Sequence, residues 1–189
     1  GFSMTAHYDT AIQGYLSELE GFSDGDEPLN LRLYPISHLR YGENPHQKAT
    51  LYTYQPDSGP LGGKLLQGKA LSYNNLLDLD AAWRTAVSYQ RPAVCIVKHL
   101  SPCGIACADN LEQAFQLALA SDPISAFGGV IATNLVFDEK IAQSLGDLFV
   151  ECIIAPGFTP DAQEILSRRK NLRLVSMPDT KIQPLYELR

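Results

Sequence analysis

"AVCIVKHLSPCG", residues 93–104, sets the question this chain has to answer. The apolar run Ala93 to Val97 has the pattern of a strand covered on both faces of a sheet. It stops abruptly at Lys98 and His99, and the Pro-Cys-Gly stretch Pro102 to Gly104 predicts a turn. Both polar side chains are costly to desolvate, so their place at the tip of a buried strand needs a reason. Successive residues of a regular strand point to opposite faces. Lys98 and His99 can therefore serve one site only if the strand ends at that point.

Outward from this strand, apolar runs alternate with helical spacing. On the N-terminal side, "LRLYPI" (31–36) and "ATLYTY" (49–54) predict strands, "PDSGPLGG" (56–63) a turn, and "KLLQGKALSYNN" (64–75) an extended stretch. Asp78 to Gln90 predicts a helix with Leu79, Trp83, Ala86 and Val87 on one side. On the C-terminal side, Asn110 with Gln113 forms a capping-box-like start to a helix carrying Leu111, Ala114, Phe115 and Ala118. "GGVIAT" (128–133), "CIIA" (152–155) and "LRLVSM" (172–177) predict strands. Asp138 opens a helix bearing Ile141, Leu145, Leu148 and Phe149, and Thr159-Pro160-Asp161 opens another as cap, first residue and acidic first turn. Such alternation predicts an α/β protein, a three-layer α/β/α sandwich with helices on both faces of a central sheet. Before it, Tyr8, Ile12, Tyr15, Leu16 and Leu19 have helical spacing. The acidic, Gly- and Pro-rich "EGFSDGDEPLN" (20–30) reads as a linker.

Composition narrows the function. The chain has 189 residues, 45% of them hydrophobic, enough to build a core. Its net charge of −6, from 15 basic and 21 acidic side chains, argues against nonspecific nucleic-acid binding. No apolar run approaches the ~20 residues of a membrane span, and "GFSMTAHYD" at the N-terminus lacks the layout of a signal peptide. Cys95, Cys103, Cys107 and Cys152 lie in or beside apolar stretches and read as reduced thiols of a cytoplasmic protein.

Four polar stretches fall at strand or loop ends: "LRYGENPHQ" (39–47), "LSYNNLLDLD" (71–80), "KHLSPCG" (98–104) and "SDPISAFGG" (121–129). An imidazole can accept a proton near neutrality, and an adjacent ammonium stabilises developing negative charge. The plain alternative is a solvated, idle pair. Zinc is a second alternative, because His99, Cys103 and Cys107 are close in sequence. The deaminase signature, however, needs H-x-E and then P-C-x-x-C. Here Ser101 stands at the Glu position and Cys107 comes one residue late, so no metal is expected. Arg40 can fork onto a phosphate or carboxylate. Gly128 and Gly129, after Phe127, allow close backbone approach to a ligand or simply a tight turn.

Taken together and in order, "RYGENPHQ", "LSYNNLLDLDAAW", "VKHLSPCG", "SDPISAFGG" and "VECIIAPGF" resemble the first half of the transferase region of the family of 5-aminoimidazole-4-carboxamide ribonucleotide (AICAR) formyltransferase/IMP cyclohydrolase. The resemblance implies residues 1–20 as the junction helix after a missing cyclohydrolase domain, 21–31 as linker, and 32–189 as the first transferase subdomain, with the second missing. It implies a cytidine deaminase-like fold without zinc. It implies formyl transfer from the co-substrate 10-formyltetrahydrofolate to AICAR in purine biosynthesis, by a homodimer with shared sites; this fragment alone would be inactive. Lys98 and His99 match the family's catalytic pair. Arg40 and Tyr41 match a pair that binds AICAR, with the arginine on its phosphate. Phe127 and Gly128 match a nucleotide-contacting turn. Glu151 stands where some members carry an aspartate touching AICAR, one methylene shorter. A zinc-free nucleotide-binding or dimerisation module without catalysis is the competing expectation.

Overall fold

The computed structural model describes residues 1–21, 32–54 and 59–177. Most of the expected linker, part of the turn at 56–63 and the C-terminal tail lie outside them. Residues 1–33 and 34–189 form two units. The described residues of the first form a helix, α1 (Phe2–Glu20), closed by Gly21 at φ 83°, where glycine takes the left-handed conformation without steric cost. The helix is longer at its start than the apolar spacing from Tyr8 predicts.

The second unit is built on a six-stranded sheet. Its strands are β3 (Lys64–Gln67), β4 (Ala93–Lys98), β5 (Ser101–Cys107), β6 (Gly129–Thr133), β7 (Val150–Ala155) and β8 (Arg173–Ser176), in the spatial order β3-β8-β7-β6-β4-β5. β6, β7 and β8 run parallel; β4 is antiparallel to β5 and β6, and β3 is antiparallel to β8. The two N-terminal strands, β1 (Tyr34–His38) and β2 (Thr50–Thr53), pair with each other in a separate antiparallel ribbon.

Strand alternation splits the core into two layers. Val94, Ile96, Ile131, Ile153 and Leu174 face α3 (Leu111–Ser121), α5 (Glu139–Ser144) and α6 (Pro160–Ser167). Cys95, Val97, Val130, Ala132, Cys152, Ile154 and Val175 pack instead with Leu76, Leu79, Ala82, Trp83 and Ala86 of α2 (Tyr73–Val87). Each fully buried aliphatic side chain contributes roughly 1.5–3 kcal/mol of transfer free energy. Covering on both faces explains why β4, β6 and β7 read as unbroken apolar runs. The sheet is thus flanked by helices on both sides, as the alternation of elements predicts. Asn110, Asp138 and Thr159 each cap their helix by accepting the backbone N–H three residues on.

Three local expectations are corrected. α2 begins at Tyr73, five residues ahead of the predicted start, because Ser72 and Asn75 form a reciprocal capping box. α5 stops at Ser144, so Leu148 and Phe149 lie beyond it. Most important, Pro102 to Gly104 is no turn. The chain reverses in two residues, His99 and Leu100, and returns as β5. Proline is tolerated there because β5 is an edge strand. Gly104 is required there for another reason. A Cβ at that position would lie 2.0 Å from the Ala118 carbonyl oxygen, so α3 packs onto β5 only over a glycine.

Candidate functional site

β4 ends at Lys98, paired with Ser101 across the two-residue turn. His99 and Leu100 have φ of 53° and 65°, left-handed at both positions as in a type I′ hairpin turn, which Asn-Gly normally supplies. His99 is exposed. The Leu100 N–H donates to Asp78 Oδ1 of α2 at 2.7 Å. Lys98 Nζ donates to the Phe127 carbonyl at 2.8 Å, the ammonium's one hydrogen-bond partner among the described residues, against three donors.

The same sheet end carries the starts of β6 and β7. Gly128, at φ 74°, donates its N–H to the Phe149 carbonyl at 2.7 Å, and the Phe127 and Phe149 rings lie 5.4 Å apart. Phe127 remains 57% exposed. Pairing between β6 and β7 jumps from Gly129↔Val150 to Val130↔Cys152, so Glu151 is the extra residue of a bulge. Bulges re-aim side chains and are common beside active sites. Glu151 Oε2 accepts from Asn75 Nδ2 at 2.8 Å, and Asn75 is itself buried. A second bulge lies across the hairpin, where pairing jumps from Ile96↔Gly104 to Val97↔Pro102 and leaves out Cys103.

Arg40 and Tyr41 sit on the loop after β1. The Arg40 guanidinium carbon lies 5.7 Å from the Tyr41 ring centroid, within cation–π range. Gly42 N–H to Gln47 O at 2.9 Å and Asn44 N–H to Gln47 Oε1 at 2.8 Å hold the turn. Leu39 packs against the α2-side core. No hydrogen bond or ion pair between described residues joins this loop to the Lys98 group. The structure gathers Lys98, His99, Phe127, Gly128 and Glu151 at one sheet end, while Arg40 and Tyr41 are carried by the loop after β1.

The cysteines divide between the layers. Cys95 and Cys152 lie in the α2-side core, where burial pushes both thiols up to about 12. Cys103 packs on the opposite layer and donates to the Ile96 carbonyl; burial raises it too. Among the described residues, no three His, Cys, Asp or Glu side chains converge as metal ligands. No helix among them is long and apolar enough to cross a membrane. Asp122, close enough to Lys98 to feel its charge, is held below the usual carboxylate range chiefly by hydrogen bonds from Ser125.

Two contributors were not assigned from sequence. Asn75 and Asp78 lie in a polar stretch that stood out, yet their partners are 76 and 22 residues away. The one local signal is the Ser72–Asn75 spacing, a capping box with Asn in the place usual for Glu or Gln.

Fold and site together define an α/β protein with a helix-flanked sheet and a cation-bearing hairpin tip at one sheet end. A sequence profile of the family described as AICARFT/IMPCHase bienzyme matches residues 1–189. The chain belongs to that family. It is 45% identical over 183 residues to the bifunctional purine biosynthesis protein PurH of Acidithiobacillus ferrooxidans, covering 94% of this chain and 35% of that protein. PurH of Leuconostoc mesenteroides is 45% identical over 185 residues, covering 97% and 36%. The chain thus spans about a third of the length of these curated relatives. Among solved structures, Acinetobacter baumannii RibD aligns over 52% of this chain and 35% of its own at 16% identity, with a TM-score of 0.41, a likeness too slight to bear on the fold.

Proposed function

We propose that this chain supplies the lysine–histidine part of an AICAR formyltransferase site, in a protein that makes purine nucleotides and also closes the ring to IMP. The observation that carries this reading is the hairpin tip: Lys98 anchored on the Phe127 carbonyl and next to exposed His99, in a chain of this family. The helix-flanked sheet would be the first of two subdomains resembling cytidine deaminases. The working enzyme would be a cytoplasmic homodimer with shared sites.

The AICAR 5-amino group is a weak nucleophile, its lone pair conjugated with the ring. His99 takes its proton, directly or through the neighbouring carboxamide, as the nitrogen attacks the formyl carbon of 10-formyltetrahydrofolate. Lys98 stabilises the tetrahedral oxyanion. The bond from carbon to folate N10 then breaks and a proton passes to N10, giving the formamide and tetrahydrofolate. Arg40, stacked on Tyr41, binds the phosphate, and Glu151, Phe127 and Gly128 contact the nucleotide, holding the amine in line for attack.

The test is His99→Ala in the full-length protein carrying this segment. Turnover should fall by about 10²–10⁴-fold, as general-base removal does, while AICAR affinity changes far less. Near-normal turnover would remove His99 from the reaction. Tight AICAR binding by the unmodified full-length protein with no turnover would favour a binding module instead.

A further inference from the structure

Both central residues of the Lys98–Ser101 turn are left-handed, and neither is Gly or Asn. Each such residue is strained relative to an ordinary conformation, and strain of this kind persists only where the surroundings over-determine it. The leucine side chain has no polar group with which to bond its own backbone. What bonds the turn from outside is Asp78, which accepts the Leu100 N–H at 2.7 Å. Asp78 is set by α2, whose register is fixed by the Ser72–Asn75 box and by buried Leu79, Ala82 and Ala86. Asn75, one turn earlier and on the same face, grips Glu151 on the β7 bulge at 2.8 Å. One helix face therefore holds both the turn of β4–β5 and the bulge of β7.

We propose that Asp78 is a positioning residue for formyl transfer. By accepting the Leu100 N–H it keeps the His99–Leu100 turn left-handed, and so fixes where the His99 side chain leaves the backbone. Asp78 touches no reacting atom. The inference rests on the reading of Lys98 and His99 as the catalytic pair. Release of the turn would move the imidazole by an ångström or more, and displacement of that size costs on the order of 10²-fold in rate.

The experiment compares Asp78→Ala, Asp78→Asn, Asp78→Ala with Leu100→Gly, and His99→Ala in the full-length protein. Asp78→Ala should lower kcat by about 10–100-fold with AICAR KM changed less than about threefold, the split expected when orientation rather than binding is lost. Asp78→Asn should recover most of that loss, because an amide oxygen still accepts the N–H. Adding Leu100→Gly to Asp78→Ala should also recover part of it, because glycine takes positive φ without penalty. A residue needed only for folding would not be rescued by a glycine in a hairpin. Hydrogen exchange of the peptide spanning the turn should speed up in Asp78→Ala, a readout independent of activity. Should the alanine variant fail to fold, Asp78→Glu, which displaces the acceptor by a methylene, takes its place with the same expected split. Wild-type kcat in Asp78→Ala, or no recovery on adding Leu100→Gly, overturns the proposal. If His99→Ala is impaired while Asp78→Ala is not, only the role of Asp78 fails. If His99→Ala turns over normally, the reading of the whole site fails with it.

Discussion

The two ends of β4 are built from similar materials to opposite effect. At Ala93, the side chain of Asn134 closes the end: its Oδ1 accepts the Ala93 N–H at 2.8 Å, and its Nδ2 donates to the Tyr89 and Arg91 carbonyls at 2.9 and 2.7 Å. Polar groups are spent on backbone partners and no residue there is strained. At Lys98, five residues along, the chain turns through two left-handed residues and leaves His99 exposed and Lys98 only partly used. One end satisfies its polar groups; the other keeps them available under strain. Strain that persists with free polar groups points to function, whereas satisfied polar groups at a strand end point to stability.

The largest effect that could break this contrast is at Lys98. In the full-length protein, Lys98→Ala should lower turnover by about 10²–10³-fold, the loss found when one donor to a developing oxyanion is removed. Lys98→Arg should not restore it, because a planar fork does not replace a compact ammonium. Thermal unfolding should barely change, since among the described residues the Lys98 side chain makes one hydrogen bond, to the Phe127 carbonyl. A variant that melts early but turns over normally would make this end structural too.

The opposite pattern is expected at Asn134. Asn134→Ala strips one N–H and two carbonyls of their partner. Water can reach part of this site, so the cost should be about 1–2 kcal/mol of stability. Turnover per folded enzyme should stay at the wild-type level. Denaturant titration measures the first quantity and active-site-normalised kinetics the second. A drop in turnover at unchanged stability would erase the distinction between the ends.

The contrast also explains what the sequence could tell. The buried strands β4, β6 and β7 and the caps Asn110, Asp138 and Thr159 were legible because their causes are local: apolar runs and short-range side-chain bonds. β5 was not. Pro102 and Gly104 carry the composition of a turn, yet Pro102 is tolerated by an edge position and Gly104 is demanded by α3, both facts of tertiary packing. The real turn, His99–Leu100, has no Asn-Gly signal because Asp78 supplies its restraint from another element. Lys98, Phe127 and Gly128 could be singled out as odd residues at strand ends. The bulge that carries Glu151, and the hold of Asn75 upon it, depend on register between strands and left no mark in the local pattern.

The smallest expected effect tests how far the Lys98 end extends. Asp122 caps α4 (Pro123–Ala126) by accepting the Ser125 N–H at 3.0 Å. The hydrogen bonds from Ser125 hold its carboxyl below the ordinary value of 3.8, with the Lys98 charge a weaker contributor in the same direction. A carboxylate depressed in the folded state contributes stability that is present above the unfolded value and lost as pH falls through the folded one. Asp122→Asn keeps a competent cap but removes the charge-dependent part. The wild type should therefore melt slightly higher at pH 7, and the two Tm curves should converge as pH drops below about 3.8. Asp122 lies at the surface, only partly covered, so the gap should be small and should shrink with salt. Turnover should be almost untouched, because the influence of Asp122 on Lys98 is one screened charge among stronger local bonds. If turnover shifted and the Tm curves stayed parallel, Asp122 would act through Lys98 rather than through its helix. The functional end would then reach past the hairpin into α4.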